Sequence, residues 1–193
     1  MLIRRLCSIA AVFCAAVFLS GCYVLSSVAP KADAFDTRLA GFWAGLDEGK
    51  PTPGTFLQFV EGTEKKEPRL VLTSPKGVAV YDLRTVRNGK GGAFAIKVIM
   101  TDDKDDAPSG YILGFYEVRG RDLWMTILDS DKVGALVDAG KVKGTKGEGK
   151  YFDVTLTGTP EEVAQFLASP EARAAVSADG KGTVIGRRRS FPR

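Results

Sequence analysis

Histidine is absent from all 193 residues. Its absence excludes the Ser-His-acid triad, the Cys-His dyad and most zinc sites. Cysteine is almost absent, and its three copies, Cys7, Cys14 and Cys22, all fall at the start of the chain. No pair of thiols remains in the body to staple it, so the body needs an apolar core of its own. Its share of apolar residues, 45%, is enough for one. After the first 19 residues no apolar run is long enough to span a bilayer. A dominant charge is missing as well, with 27 basic against 23 acidic side chains. Arg4 and Arg5 are the only charges in residues 1–21, so the remainder carries 25 basic against 23 acidic groups. Nucleic-acid binding asks for a clustered basic face, and none is evident. The basic cluster that does exist, Arg187, Arg188, Arg189 and Arg193, reads as a solvated tail.

What is present begins with Arg4 and Arg5, followed by an almost wholly apolar stretch from Leu6 to Leu19. Its length, about 14 residues, is that of a secretion-signal core and short for a spanning helix. The stretch closes on Leu19-Ser20-Gly21-Cys22. Charge, length and these four residues together resemble the signal and lipobox of bacterial lipoproteins. The resemblance implies cleavage between Gly21 and Cys22, with diacylglycerol taken up by the Cys22 thiol and acylation of the new amine. Two or three acyl chains give a stable anchor where one would be marginal. Tyr23 stands where an Asp would favour the inner membrane in such proteins, so the resemblance points to the outer membrane, with the body facing the periplasm. The expected organisation is a signal at 1–21, a lipidated tether at 22–37 and one β-rich domain at 38–193. Small residues, a proline and weak periodicity in Tyr23 to Asp36 are the reason to expect a tether.

Alternating apolar and polar residues mark strands at 56–60, 69–73, 78–87, 94–101, 111–118, 123–128 and 151–157, with a final one within 181–188. Asn88-Gly89 is the strongest short turn signal. Ser130 is placed to cap a helix ending at Gly140, and Thr159-Pro160-Glu161-Glu162 has the form of a capping box. Ser169-Pro170 then starts a further short helix. The expected fold is mainly β (β-rich α+β), either an antiparallel sheet or a small barrel, with two to three short helices in the C-terminal third.

At the start of the β-rich region stands Gly41-Phe42-Trp43. It resembles the G-x-W that opens the first strand of lipocalins and related calycin barrels. That likeness implies a Trp packed across the closed end beneath an Arg of the last strand, here Arg187, with Arg188 as the alternative. It also implies a carrier of a small hydrophobic ligand, whose cavity could be lined by Tyr81, Phe94, Tyr111, Phe115, Tyr116 and Trp124. An ordinary core position accounts for the same aromatics.

No catalytic residue, metal ligand or cofactor is expected. The acidic run Asp102 to Asp106 lacks the D-x-D-x-D-G spacing of a calcium loop and holds Lys104 at its centre. Ser130, between Asp129 and Asp131, has no histidine to activate it. The Gly140–Gly149 stretch matches neither phosphate-binding glycine pattern. The first expectation is therefore a non-enzymatic envelope lipoprotein, anchored to the membrane through Cys22, with a binding or structural role towards a protein or another envelope component. The alternative is the calycin-like carrier.

Overall fold

The computed structural model describes residues 24–47, 50–63, 67–88, 91–101, 109–147, 153–176 and 183–188. Cys22, Gly21 and the leader lie outside them, as do Gly89, Asp102 to Asp106, Tyr151, Phe152, Arg189 and Arg193.

Seven consecutive antiparallel strands form a meander: β2 (Gly41–Asp47), β3 (Lys50–Val60), β4 (Arg69–Ser74), β5 (Gly77–Asn88), β6 (Gly91–Thr101), β7 (Tyr111–Arg119) and β8 (Asp122–Ile127). The last strand, β11 (Thr183–Arg188), inserts antiparallel between β8 and β2. With β6 paired to β7, the sheet closes into an eight-stranded antiparallel barrel. The expected β-rich class with short helices is what the chain adopts, and of the two architectures it is the barrel.

Alternation along the strands separates two cores. Trp43, Leu57, Phe59, Leu70, Leu83, Phe94, Ile96, Ile112, Tyr116, Leu123 and Met125 fill the interior. Their neighbours in sequence, Ala93, Ala95, Leu113 and Phe115, point out of the same strands into a second core. Gly114 shows how tightly the interior is set. It pairs with Phe94, and a Cβ there would stand 2.5 Å from the Phe94 ring and 2.3 Å from the Thr126 carbonyl oxygen.

The second core is roofed by helices α1 (Ser130–Asp138), α2 (Pro160–Ala168) and α3 (Pro170–Ala174), which contribute Val133, Val163, Phe166, Leu167 and Ala172. Thr159 caps α2 through the Glu162 amide, and the Glu162 carboxylate accepts from the Thr159 amide, closing the expected capping box. The cap of α1 is Asp129, whose side chain accepts from the Lys132 amide. Ser130 is the first helical residue, so its hydroxyl is one position too late for the capping role expected of it. Arg173 of α3 ties roof to barrel. Its guanidinium lies 4.4 Å from the Phe115 ring centre and donates to the Asn88 carbonyl at 2.9 Å, and the Asn88 amide donates to the Leu167 carbonyl at 2.7 Å.

The segment expected as a tether is part of the body from residue 24 onward. β1 (Val24–Ser26) runs parallel to β10 (Val154–Leu156) and antiparallel to the first residues of β7, and β10 pairs in turn with β9 (Gly144–Lys146). Val24 and Leu25 are 1% and 6% exposed. The chain then passes over the roof and back to the barrel: the amides of Ser27, Lys31 and Asp33 donate to the carbonyls of Leu156, Pro160 and Thr85. Tether-like composition misleads here because Val24-Leu25 and Val28-Ala29 are too short an apolar run to show a period, yet Val24, Val28 and Ala29 pack on the second core and Leu25 on the barrel interior.

If residues 24–26 were a free tether, truncating them would leave stability unchanged. The packing predicts that Val24→Ala and Leu25→Ala, in a chain starting at residue 23, each destabilise by about 1–3 kcal/mol in urea unfolding. An unchanged midpoint would contradict it.

Candidate functional site: the closed end of the barrel

One barrel end is shut by residues that come together from both ends of the domain. Thr37 to Ala40 form a tight turn, with the Leu39 amide donating to the Asp36 carbonyl at 2.9 Å and the Ala40 amide to the Thr37 carbonyl at 3.1 Å. The turn drops Leu39 into the barrel mouth, 1% exposed. Gly41 follows with φ of 113°, in the region that favours glycine, and swings the chain into β2. Trp43 then lies wholly buried, and its indole N–H donates to the Leu39 carbonyl at 2.8 Å. A buried indole needs such a partner.

Arg188 of β11 covers this tryptophan. Its guanidinium carbon stands 4.6 Å from the ring centre, and one terminal nitrogen donates to the Arg38 carbonyl. The Arg188 backbone is held from the other side, its amide donating to the Arg121 carbonyl at 2.8 Å and its carbonyl accepting from the Arg121 side chain at 3.2 Å. Arg187 does not take this role. It pairs with Ala44 while Arg188 pairs with Trp43, so strand alternation turns its side chain to the outer wall. There it donates to Asp122 at 2.7 Å. The expected Trp–Arg contact therefore exists through Arg188, and the assignment to Arg187 is corrected.

Beside the closure lies a concavity of about 280 Å³, bounded by Asp33, Asp36, Arg38, Arg87 and Tyr116 among others. Asp36 is its organising group. It accepts from Arg38 in a fork at 2.9 and 2.7 Å, from the Arg38 amide at 3.0 Å and from the Tyr116 hydroxyl at 3.0 Å. Burial alone would raise its pKa, but the hydrogen bonds from the Arg38 side chain and backbone and from Tyr116 hold it below the usual aspartate value. Burial first, and then the Asp36 charge, push the Tyr116 phenol far up, so it stays a neutral donor. These groups satisfy one another, and the site orders backbone without presenting a reactive pair.

The six aromatics expected to line a cavity divide three ways. Phe94, Tyr116 and Tyr81 belong to the barrel interior. Tyr111 and Phe115 sit in the second core under the roof, outside the barrel. Trp124 lies on the outer wall, half-buried, with the Arg119 guanidinium 4.7 Å from its ring centre. They do not line one space, since odd and even positions of β7 face opposite ways: Tyr111 and Phe115 outward, Tyr116 inward. Sequence reasoning missed Leu39, Asp36 and Arg38. The turn they form carried one signal, a short polar run just before G-x-W.

Arg188→Ala removes a cation over a buried ring and exposes the barrel end, with an expected loss of about 2 kcal/mol; Arg187→Ala leaves the melting temperature unchanged. Equal effects would contradict the assignment. Asp36 has a lowered folded-state pKa, so its contribution is present above the unfolded aspartate value of about 4 and fades as pH falls through the folded one. Asp36→Asn should therefore destabilise at pH 7, by an amount that shrinks as pH falls below about 4, read from melting curves over that range. A pH-independent difference would overturn the role given to the charge. Compared with family models, with curated proteins and with solved structures, the chain matches none.

Proposed function

We propose that this protein is a lipid-anchored component of the bacterial cell envelope whose barrel serves as a solid scaffold for binding a partner on its outer surface, without enzymatic activity. The anchor reading rests on Leu19-Ser20-Gly21-Cys22 after a charged start and an apolar run of secretion-signal length. Tyr23 after the cysteine favours the outer membrane, with the body in the periplasm.

One observation carries the choice between scaffold and carrier. Trp43, Leu83, Phe94 and Leu123 are at most 1% exposed, so no water-sized void touches any of them. A carrier of a hydrophobic ligand needs a cavity of several hundred Å³ at that place. Two concavities of about 280 and 260 Å³ lie beside the closed end and beside α1, and both have several charged residues in their linings. The closure of Trp43 by Arg188 favours kinship with calycin barrels in architecture. Packed centres favour a different use of that architecture.

The outer wall offers the contrasting surface. Phe42, Gln58, Val71, Val80 and Met100 are paired across β2 to β6, so they share one face in a continuous row. Phe42 and Met100 are 38% and 54% exposed, and Phe56 and Val60 beside them 41% each. An apolar patch of this kind marks a protein-binding surface more often than a random exposure does.

Two measurements test the reading. Intact mass of the protein from membranes should show a chain that starts at Cys22 and carries acyl groups, while Cys22→Ala remains full-length; a native mass that retains Met1 would overturn the anchor. Melting of the soluble body, residues 24–193, with fatty acids or lysolipids should show no shift. A saturable rise of several degrees would restore the carrier reading.

A further inference from the structure

We infer that the folded body is held flush against the bilayer by its β1–β10–β9 flank, so that the exposed apolar side chains of β2 and β3 are turned away from the membrane. The inference rests on lipidation of Cys22.

The reasoning starts from chain length. Val24 is the first residue of β1, and only Tyr23 separates it from Cys22. Two residues of extended chain span at most about 7 Å. The acyl attachment therefore cannot leave the barrel flank by more than that distance unless β1 peels off. Peeling is costly, because it exposes Val24 and Leu25 and leaves Ser26, wholly buried, without its place in the sheet. It also breaks the pairing of Leu25 with both Thr155 and Ile112 and the bond from the Ser27 amide to the Leu156 carbonyl at 3.0 Å.

The surface around that point suits lipid headgroups. Val24 pairs with Val154, and Val154 with Lys146, so Lys146 stands two strands from the chain's entry, about 10 Å away. Asp131, Gly147 and Asp153 border the same concavity as Lys146, and Lys132 is exposed nearby on α1. Among the described residues of this flank, cations and carboxylates are in near balance, Lys146 pairing with Asp138, which fits the zwitterionic headgroup layer and not the hydrocarbon. β1 attaches to β7, and β3 lies four strands away in either direction around the barrel. The exposed parts of Phe42, Phe56 and Val60 on the far wall thereby face the aqueous space.

The lack of any thiol after Cys22 makes single-site labelling simple. Lys146→Cys and Glu61→Cys variants of the full chain, expressed so that Cys22 is processed, are labelled with an environment-insensitive fluorophore. They are then placed in vesicles of phosphatidylethanolamine and phosphatidylglycerol bearing a nitroxide on the headgroup. The expected result is quenching several-fold stronger at position 146 than at position 61. An insertion of about ten Gly and Ser residues between Tyr23 and Val24, with an average reach of about 17 Å, should abolish the difference. Intact mass is measured on the same samples. A lipidated protein whose two labels are quenched alike overturns the flush orientation and leaves the anchor standing. A protein without acyl groups on Cys22 overturns the anchor, and this inference with it.

Discussion

The packing of the Arg188 guanidinium over the buried Trp43 ring is the contact on which the architecture turns. Trp43 belongs to the first strand of the barrel and Arg188 to the last, so their contact joins the two ends of the domain where the sheet must close. Through the Leu39 carbonyl the same tryptophan holds the turn that plugs the mouth, and through the Arg38 carbonyl the same arginine holds that turn from outside. Asp36 then fixes the turn to β7 by way of Tyr116. Closure of the sheet and closure of its end are one set of bonds. Closure leaves the eight wall strands without an open edge to aggregate, in a body whose sequence holds no pair of cysteines.

The N-terminal segment extends this logic to the outside of the barrel. Residues 24–40 contribute a strand to the flank, cross the helical roof, pair with Thr85 of β5 and finish as the plug. They link the two cores, which also face each other across the walls of β5, β6 and β7. In a lipidated chain that clasp would also be the attachment. Force on the anchor would then act on the sheet itself and not on a slack linker, and orientation relative to the membrane would be a property of the fold. In the reading proposed above, an interior packed around Trp43 and Phe94 goes together with recognition by the outer wall, and which face of that wall is presented then matters.

Much of this fold was legible. Alternation at Phe94, Ile96 and Val98 and at Tyr111 to Val118 marks strands because each has one face on a core. The capping box at Thr159 to Glu162 announces α2 from chemistry local to four residues. Gly41 and Trp43 point to the closed end, but the sequence leaves its partner open between Arg187 and Arg188, because the two are adjacent and only strand register separates their faces. The lead segment was not legible: its buried residues Val24 and Leu25 are seated by strand partners more than 80 residues distant, and no local period reveals them. The aromatics failed as a group for a related reason. Alternation tells that Tyr111 and Tyr116 face opposite sides, but not that both sides of β7 are covered. Two-sided burial of β7 depends on helices that come later in the chain.

Backbone hydrogen exchange of the body, residues 24–193, tests the central claim most directly. If residues 24–40 are an integral clasp, the amides of Ser27, Lys31, Asp33 and Leu39, each bonded to a carbonyl, exchange slowly and open together with β7 and the roof. Exchange of those four amides at the rate of unstructured chain, while β7 remains protected, would contradict it.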